Sequence, residues 1–307
     1  MDGKSQPKTL IEAIRFFSDL DVATAYFAKL RWPEGPVCPK CDGKDHYHLK
    51  TRRVWKCKAC KKQFSAKVGT VFEDSPIGLD KWLPAVWLIV NAKNGVSSYE
   101  IARSLGVTQK TAWFMMHRIR LAMQTGTFEK LSGEIEADET FVGGLEKFKH
   151  ESKKRKRGRG YNGKTAVMGL VGRDGEARAK VIPNTAKSTL HGGVRENVER
   201  GSTVITDALY SYRGLQGEYT HEWVDHAIEY VRGNIHTNKT ENFWSLLKRT
   251  LKGTYVQVEP EHLSRYLDEQ TFRFNNREGK DADRFAKALG NVAGRRLTYD
   301  ELTGKTE

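Results

Sequence analysis

The 307-residue sequence contains only four cysteines, no long apolar run and no internal repeat. Its longest apolar stretch, Trp82–Val90, is interrupted by Pro84 and falls far short of the ~20 residues of a membrane-spanning helix. Behind Met1-Asp2-Gly3-Lys4-Ser5 no apolar core of a secretion signal follows. Membrane insertion and secretion are therefore not expected. With 38% hydrophobic and 29% charged residues the chain is not a disordered polymer either, and its length allows two or three domains.

Negative charge is in deficit. Lys and Arg total 52 against 38 acids, giving +14 and a pI near 9.5. Such a balance favours a polyanionic partner, above all nucleic acid. The four cysteines fall in two pairs, and in a reducing compartment metal ligation is favoured over disulfides.

The pattern along the chain changes several times. Leu10, Ile11, Ile14 and Phe17, then Ala23, Phe27 and Leu30, recur at helical spacing with a break at 19–21. A Cys-, Pro-, Gly- and Lys-rich stretch over 33–67 reads as loops and hairpins. Helical pattern returns from Leu79 to about Met123. From Ser132 the period becomes two, with strands expected at Glu134–Val142, Thr165–Val171, Ala177–Ile182 and Thr203–Thr206. Helices are expected again at Thr240–Leu251 and His262–Phe274, and a polar, weakly patterned tail beyond Glu278. Between the first two strands, 147–160 holds eight Lys/Arg and one acid, a basic loop suited to non-specific DNA contact through Lys153, Lys154, Arg155, Lys156 and Arg157.

Cys38-Pro39-Lys40-Cys41 and Cys57-Lys58-Ala59-Cys60 are separated by fifteen residues. Two C-x2-C knuckles at this distance have the form of a zinc ribbon, each turning tightly enough to aim two thiolates at one tetrahedral ion. All four ligands are cysteine, so one structural Zn2+ with no open position is expected. His46 and His48 are surplus to the ligand count and should be solvated.

Ser97–Thr108 reads as a capped helix followed by a glycine turn at Gly106. Thr108 can cap a second helix whose apolar face is Ala112, Met116, Ile119 and Met123. Its other face offers Gln109, Lys110, Thr111, His117, Arg118 and Arg120 to bases and phosphates, as in a helix-turn-helix. A plain helical hairpin would give the same apolar pattern.

Acids complete the picture. In Glu134–Thr140, Ile135 and Ala137 share one strand face and Glu134, Glu136 and Asp138 the other, which alone could be a solvated edge. Asp207 ends a second apolar strand. Glu241 opens a helix with Trp244, Leu247 and Leu251 as its buried stripe and Lys248 two turns on. A carboxylate on a first strand, one at the end of a later strand and one on a following helix is how an RNase H-like fold gathers three acids. Such acids repel one another unless divalent cations neutralise them. Two Mg2+ or Mn2+ ions ~3.5–4 Å apart would activate a water or 3′-hydroxyl at a phosphodiester.

A resemblance then becomes specific. The chain resembles bacterial insertion-sequence transposases of the zinc-ribbon DDE type, the fifteen-ninety-five family. The matching stretches are 31–37 running into the first knuckle, 136–140 with Gly143-Gly144, 204–207, 236–244, Leu247-Lys248-Arg249 and Asn275-Asn276-Arg277. The resemblance implies an enzyme that cuts the terminal inverted repeats of its element and joins them to target DNA. Asp138 and Asp207 would be its aspartates, Glu241 the third metal ligand and Lys248 the companion lysine. Some members carry Asn as third residue, so Asn238 is kept as an alternative or co-ligand. His236 would orient the nucleophile or cap the helix. Double-stranded DNA is the expected partner, with a homo-oligomer bringing two ends together in the bacterial cytoplasm at the nucleoid.

The expected architecture is a multidomain α+β chain. N-terminal helices (1–32) lead to the ribbon (33–75), a helix-turn-helix (76–126) and an RNase H-like α/β domain with a mixed five-stranded sheet (130–285), then a tail (286–307). Two other functions fit parts of this pattern. A domesticated DNA-binding regulator would need the ribbon and helix-turn-helix but not the acids. A structure-selective nuclease of the same fold would cut without regard to terminal sequence.

Overall fold

The structure, a computed structural model, describes residues 6–124, 129–144, 163–224 and 235–305. It divides into two compact units, 1–124 with 278–307, and 125–277.

The first unit starts with α1 (Leu10–Phe17), capped by a reciprocal Thr9–Glu12 box, and α2 (Leu20–Arg31), capped by Asp19. The short polar stretch between their apolar stripes is therefore a helix start. An antiparallel three-stranded sheet follows, β1 (His46–Leu49), β2 (Val54–Cys57) and β3 (Gln63–Ser65). The helices α3 (Leu79–Asn91), α4 (Ser98–Leu105) and α5 (Gln109–Met123) come next. The expected caps are present: Ser97 Oγ accepts from Glu100 N, and Thr108 Oγ1 from Thr111 N, both at 3.1 Å. Gly106 ends α4 in the left-handed region at φ 61°, a conformation that costs a residue with a Cβ about 1–2 kcal/mol.

The tail differs from expectation. Residues 278–305 carry α9 (Asp281–Gly290) and α10 (Tyr299–Thr303) and belong to the first unit rather than trailing from the second. Phe285 packs on Phe17 and Trp87 at centroid distances of 5.6 and 5.0 Å. Val71 N donates to Val292 O at 3.0 Å. The polar appearance of this stretch hid a helix whose apolar face is only Phe285, Ala288 and Leu289.

The second unit is built on one five-stranded sheet with the order β6–β5–β4–β7–β8. Its strands are β4 (Glu134–Val142), β5 (Thr165–Gly172), β6 (Ala177–Ile182), β7 (Thr203–Asp207) and β8 (Thr220–Val224). The first three pair antiparallel; β7 and β8 add on parallel. This is the mixed sheet of an RNase H-like domain. On one face α6 (Lys187–Asn197) packs with Ile135, Ala137, Met168, Leu170 and Tyr212. The other face is covered by α7 (Asn238–Thr250) and α8 (Leu263–Asn275), through Phe243, Trp244, Leu247 and Leu267 against Val167 and Val171. The alternation of β5 between these two clusters is the period of two read from the sequence. Among the described residues no helix is long and apolar enough to cross a membrane.

Candidate active site and metal centres

The two cysteine knuckles converge. Cys38 Sγ lies 3.6 Å from Cys60 Sγ and Cys41 Sγ 3.6 Å from Cys57 Sγ. These separations are far too long for a disulfide, and close to the ~3.8 Å edge of a tetrahedron with Zn–S bonds of ~2.3 Å. Each knuckle is closed the same way, Asp42 N donating to Cys38 O and Lys61 N to Cys57 O. Asp42 and Lys61 both take positive φ, 55° and 62°. Gly43 fits only because it lacks a side chain, since a Cβ there would lie 3.1 Å from Cys57 Sγ. A backbone hydrogen bond from Cys60 pulls the Cys57 thiol down to about 7, whereas Cys41, although lowered by a backbone hydrogen bond from Gly43, is pushed up to about 12 by the surrounding sulfurs. The donor set is that of a structural Zn2+ site. As expected, the nearby histidines are no part of it: His48 is exposed and stacks on Trp55 at 5.1 Å.

In the second unit, ligand oxygens of Asp138, Glu139 and Asp207 all lie within 4.8 Å of one another. The sheet explains the meeting of the aspartates. Glu136 pairs with Ile205 across the parallel β4–β7 ladder, so two residues further on Asp138 stands beside Asp207 on the same face. Each carboxylate is held by a donor. Asp138 Oδ1 accepts from Glu139 N at 2.8 Å and Oδ2 from Trp244 Nε1 at 2.9 Å. Asp207 Oδ1 accepts from Leu209 N at 3.0 Å as the chain turns out of β7. Glu139 Oε2 accepts from Tyr212 Oη at 3.0 Å.

Burial first, then the Asp207 charge, push Asp138 up to about 6 and Glu139 up to about 7. Three hard carboxylate donors gathered this closely, two of them held back from ionising by burial and by the neighbouring charge, fit a divalent cation such as Mg2+ or Mn2+.

Glu241 stands on the first turn of α7, exposed, accepting from Thr237 Oγ1 at 3.3 Å. It is outside the close trio, yet its charge contributes to raising Asp138. Asn238 and Lys248 are exposed on the same helix.

The acidic face of β4 is not a solvated edge. Glu136 is fully buried and its Oε2 accepts from Lys239 N at 2.8 Å and Thr240 N at 3.0 Å, capping the start of α7 from another strand. Arg173 Nε lies 3.2 Å from Glu136 Oε1. His236 belongs to this group: its Nε2 is 3.0 Å from Arg173 Nη1, and its Nδ1 accepts from Asn238 N at 3.4 Å.

Glu139 was missed by the sequence pattern. It shares the face of Ile135 and Ala137, and an acid in an otherwise apolar row was the available signal.

On α5 the outcome is split. Gln109, Lys110 and Thr111 lie at the accessible start of the helix. His117, Arg118 and Arg120 are buried, so they are not a nucleic-acid face. Arg118 donates to Glu73 O, and its guanidinium lies over the rings of Phe114 and Trp82 at 5.1 and 5.8 Å. Lys153, Lys154, Arg155, Lys156 and Arg157 lie outside the described residues.

The comparisons agree with this division. Residues 19–63 match the family model of a transposase zinc-ribbon domain, and residues 130–275 that of an ISXO2-like transposase domain. The chain is 30% identical over 263 residues, 80% of its length and 87% of the relative's, to an uncharacterized protein in transposable element ISH50 of Halobacterium salinarum. It is 34% identical over 110 residues, 36% of its length and 89% of the relative's, to an uncharacterized transposase-like protein of Haemophilus influenzae. With both domain models matched in order and the relative in ISH50 spanned over most of its length, the chain belongs to the ISXO2-like, zinc-ribbon family of insertion-sequence transposases, which are DNA-processing enzymes.

Proposed function

We propose that this transposase binds the terminal inverted repeats of its own element and catalyses divalent-metal-dependent cleavage and transfer of DNA strands. The observation that carries the proposal is the convergence of Asp138, Glu139 and Asp207 within 4.8 Å, where β7 ends beside the middle of β4.

In this reading Asp138 and Asp207 hold the metal, and Glu241 supplies the third acid of the signature from α7. Asn238, three residues earlier, is a co-ligand. Two Mg2+ or Mn2+ ions held by these residues would supply the Lewis acidity that favours attack by a water or 3′-hydroxyl and would offset charge on the leaving oxygen of the phosphodiester. Asp138 meets that demand without reorganising, because Glu139 N and Trp244 Nε1 already fix both of its oxygens. Lys248, seven residues after Glu241 on the exposed side of α7, contacts a DNA phosphate. No step needs a covalent bond between protein and DNA.

The ribbon, with four cysteine sulfurs and no fifth donor among the described residues, is structural. Gln109, Lys110 and Thr111 present the start of α5 to DNA, and the basic run 153–157 adds backbone contact. Two element ends imply a homo-oligomer on DNA, working in the cytoplasm at the nucleoid.

The test is strand transfer. An oligonucleotide duplex with the native element end and a free 3′-hydroxyl is incubated with supercoiled plasmid and Mg2+. Covalent joining to plasmid supports the proposal. Specific binding without joining would make the chain a DNA-binding regulator, and cutting indifferent to the end sequence a structure-selective nuclease.

A further inference from the structure

We propose that Glu139, oriented by Tyr212, is a divalent-metal ligand in its own right, completing the Asp138–Asp207 site with a carboxylate from the opposite face of the same strand. The inference rests on the reading of these aspartates as metal holders and extends it to a residue outside the expected triad.

Consecutive residues of a strand point to opposite faces. Asp138 accordingly meets Trp244 of α7, while Glu139 meets Tyr212 among the residues packed with α6. On a continuous sheet the two carboxylates would be kept apart by the backbone. Here the β4–β7 ladder runs from Glu134–Thr203 to Glu136–Ile205, and β7 ends at Asp207. At that strand end one carboxylate can approach both faces, and oxygens of all three residues come within 4.8 Å.

The surroundings of Glu139 do not suit a merely structural acid. A half-buried carboxylate kept for stability normally gains a cationic partner. Among the described residues Glu139 makes no salt bridge, and its donor is the neutral phenol of Tyr212, itself fully buried. Its other neighbours in the group are two acids. What such an arrangement does provide is orientation: one oxygen is held by Tyr212, and a ligand atom faces Asp138 and Asp207.

The dimensions suit one ion. Mg2+ and Mn2+ prefer octahedral oxygen donors, at ~2.0–2.1 Å for Mg2+, so opposite ligands stand ~4.2 Å apart. Oxygens already within 4.8 Å reach that arrangement with small side-chain adjustments. Glu241, outside the trio, is then left for a second ion or for the DNA side of the site.

Calorimetric titration of the zinc-loaded full-length chain with Mn2+ tests this without reference to activity. Asp207→Asn should abolish the tighter Mn2+ site. Glu139→Gln should weaken it at least tenfold, and Tyr212→Phe by roughly 10-fold, the range for an orienting partner. If Asp207→Asn binds Mn2+ like the wild type, the metal reading of the aspartates fails. If Asp207→Asn loses the ion and Glu139→Gln keeps wild-type affinity, the inference about Glu139 alone fails. A second readout covers the case in which Glu139→Gln does not fold. Mg2+ should produce a near-ultraviolet difference spectrum in the wild type with a tyrosine component that Tyr212→Phe lacks. Identical difference spectra in the two proteins would overturn the proposal.

Discussion

The indole of Trp244 lies on Gly169 and gives its N–H to Asp138, and Gly169 is the residue paired with Asp138 across the β4–β5 ladder. A Cβ on Gly169 would stand 2.5 Å from Trp244 Cζ2, a distance that requires the ring to move. The helix that carries Glu241 is thus docked three residues later by a side chain that also fixes the first aspartate. Gly169→Ala should displace the indole, destabilise the second unit by about 1–3 kcal/mol and abolish cleavage. Trp244→Phe keeps most of the packing and loses the donor. It should raise the Mg2+ concentration for half-maximal cleavage roughly 10-fold or more. An unchanged Mg2+ requirement in Trp244→Phe would refute the positioning role.

The raised affinities of Asp138 and Glu139 for protons, to about 6 and about 7, fix the sign of a pH effect. In the unfolded chain these groups ionise near about pH 4. Between about pH 4 and 7 the folded protein keeps protons that the unfolded chain sheds, so their contribution lowers stability as pH rises and is fully adverse above 7. Asp207→Asn removes a repelling charge and should flatten this dependence, raising the metal-free melting temperature by a few degrees near neutral pH. Mg2+ should stabilise the wild type most above pH 7. A wild-type profile no steeper than that of Asp207→Asn would contradict the account.

Zinc should be stoichiometric, one ion per chain, and its removal should unfold the ribbon. The ribbon around β1, β2 and β3 buries little besides Trp55, Phe64, Cys38 and Cys57, and structural Zn2+ contributes about 10–16 kcal/mol in zinc-finger peptides. Cys57→Ser or strong chelation should expose residues within 33–67 to limited proteolysis. Protection equal to that of the zinc-loaded protein would show that the four thiols do not hold the fold.

Arg118 and Lys110 should behave oppositely although both are basic residues of α5. Arg118→Ala removes a buried guanidinium that satisfies Glu73 O, so stability should fall by about 2–4 kcal/mol. Lys110→Ala should leave stability within about 0.5 kcal/mol and reduce the salt slope of DNA binding by about 1. Paired denaturation and salt-titration experiments distinguish these outcomes. A stable Arg118→Ala protein with selectively lost DNA binding would reverse the assignment.

Elements with strong local signals were legible in the sequence. The cysteine spacing, the Ser97 and Thr108 caps, the alternation of β4 and the stripe of α7 each depend on near neighbours in the chain. What escaped depends on distant ones. That Arg118 is buried follows from Phe114, Trp82 and Glu73 folding around it. The burial of Glu136 follows from α7 placing two N–H groups over it from a hundred residues away. Glu139 joins the acids only because β7 stops at Asp207, and the helix at 281–290 finds its partners in Phe17 and Trp87 at the other end of the sequence.

Cleavage of supercoiled plasmid carrying the gene with its native flanks, wild type against Asp207→Asn in Mg2+, tests the central claim most directly. The account predicts cuts at the terminal inverted repeats, read by sequencing the new ends, that need the divalent ion and vanish in Asp207→Asn while DNA binding persists. Equal cleavage by wild type and Asp207→Asn, or no cleavage by a wild-type protein that binds those repeats, would contradict it.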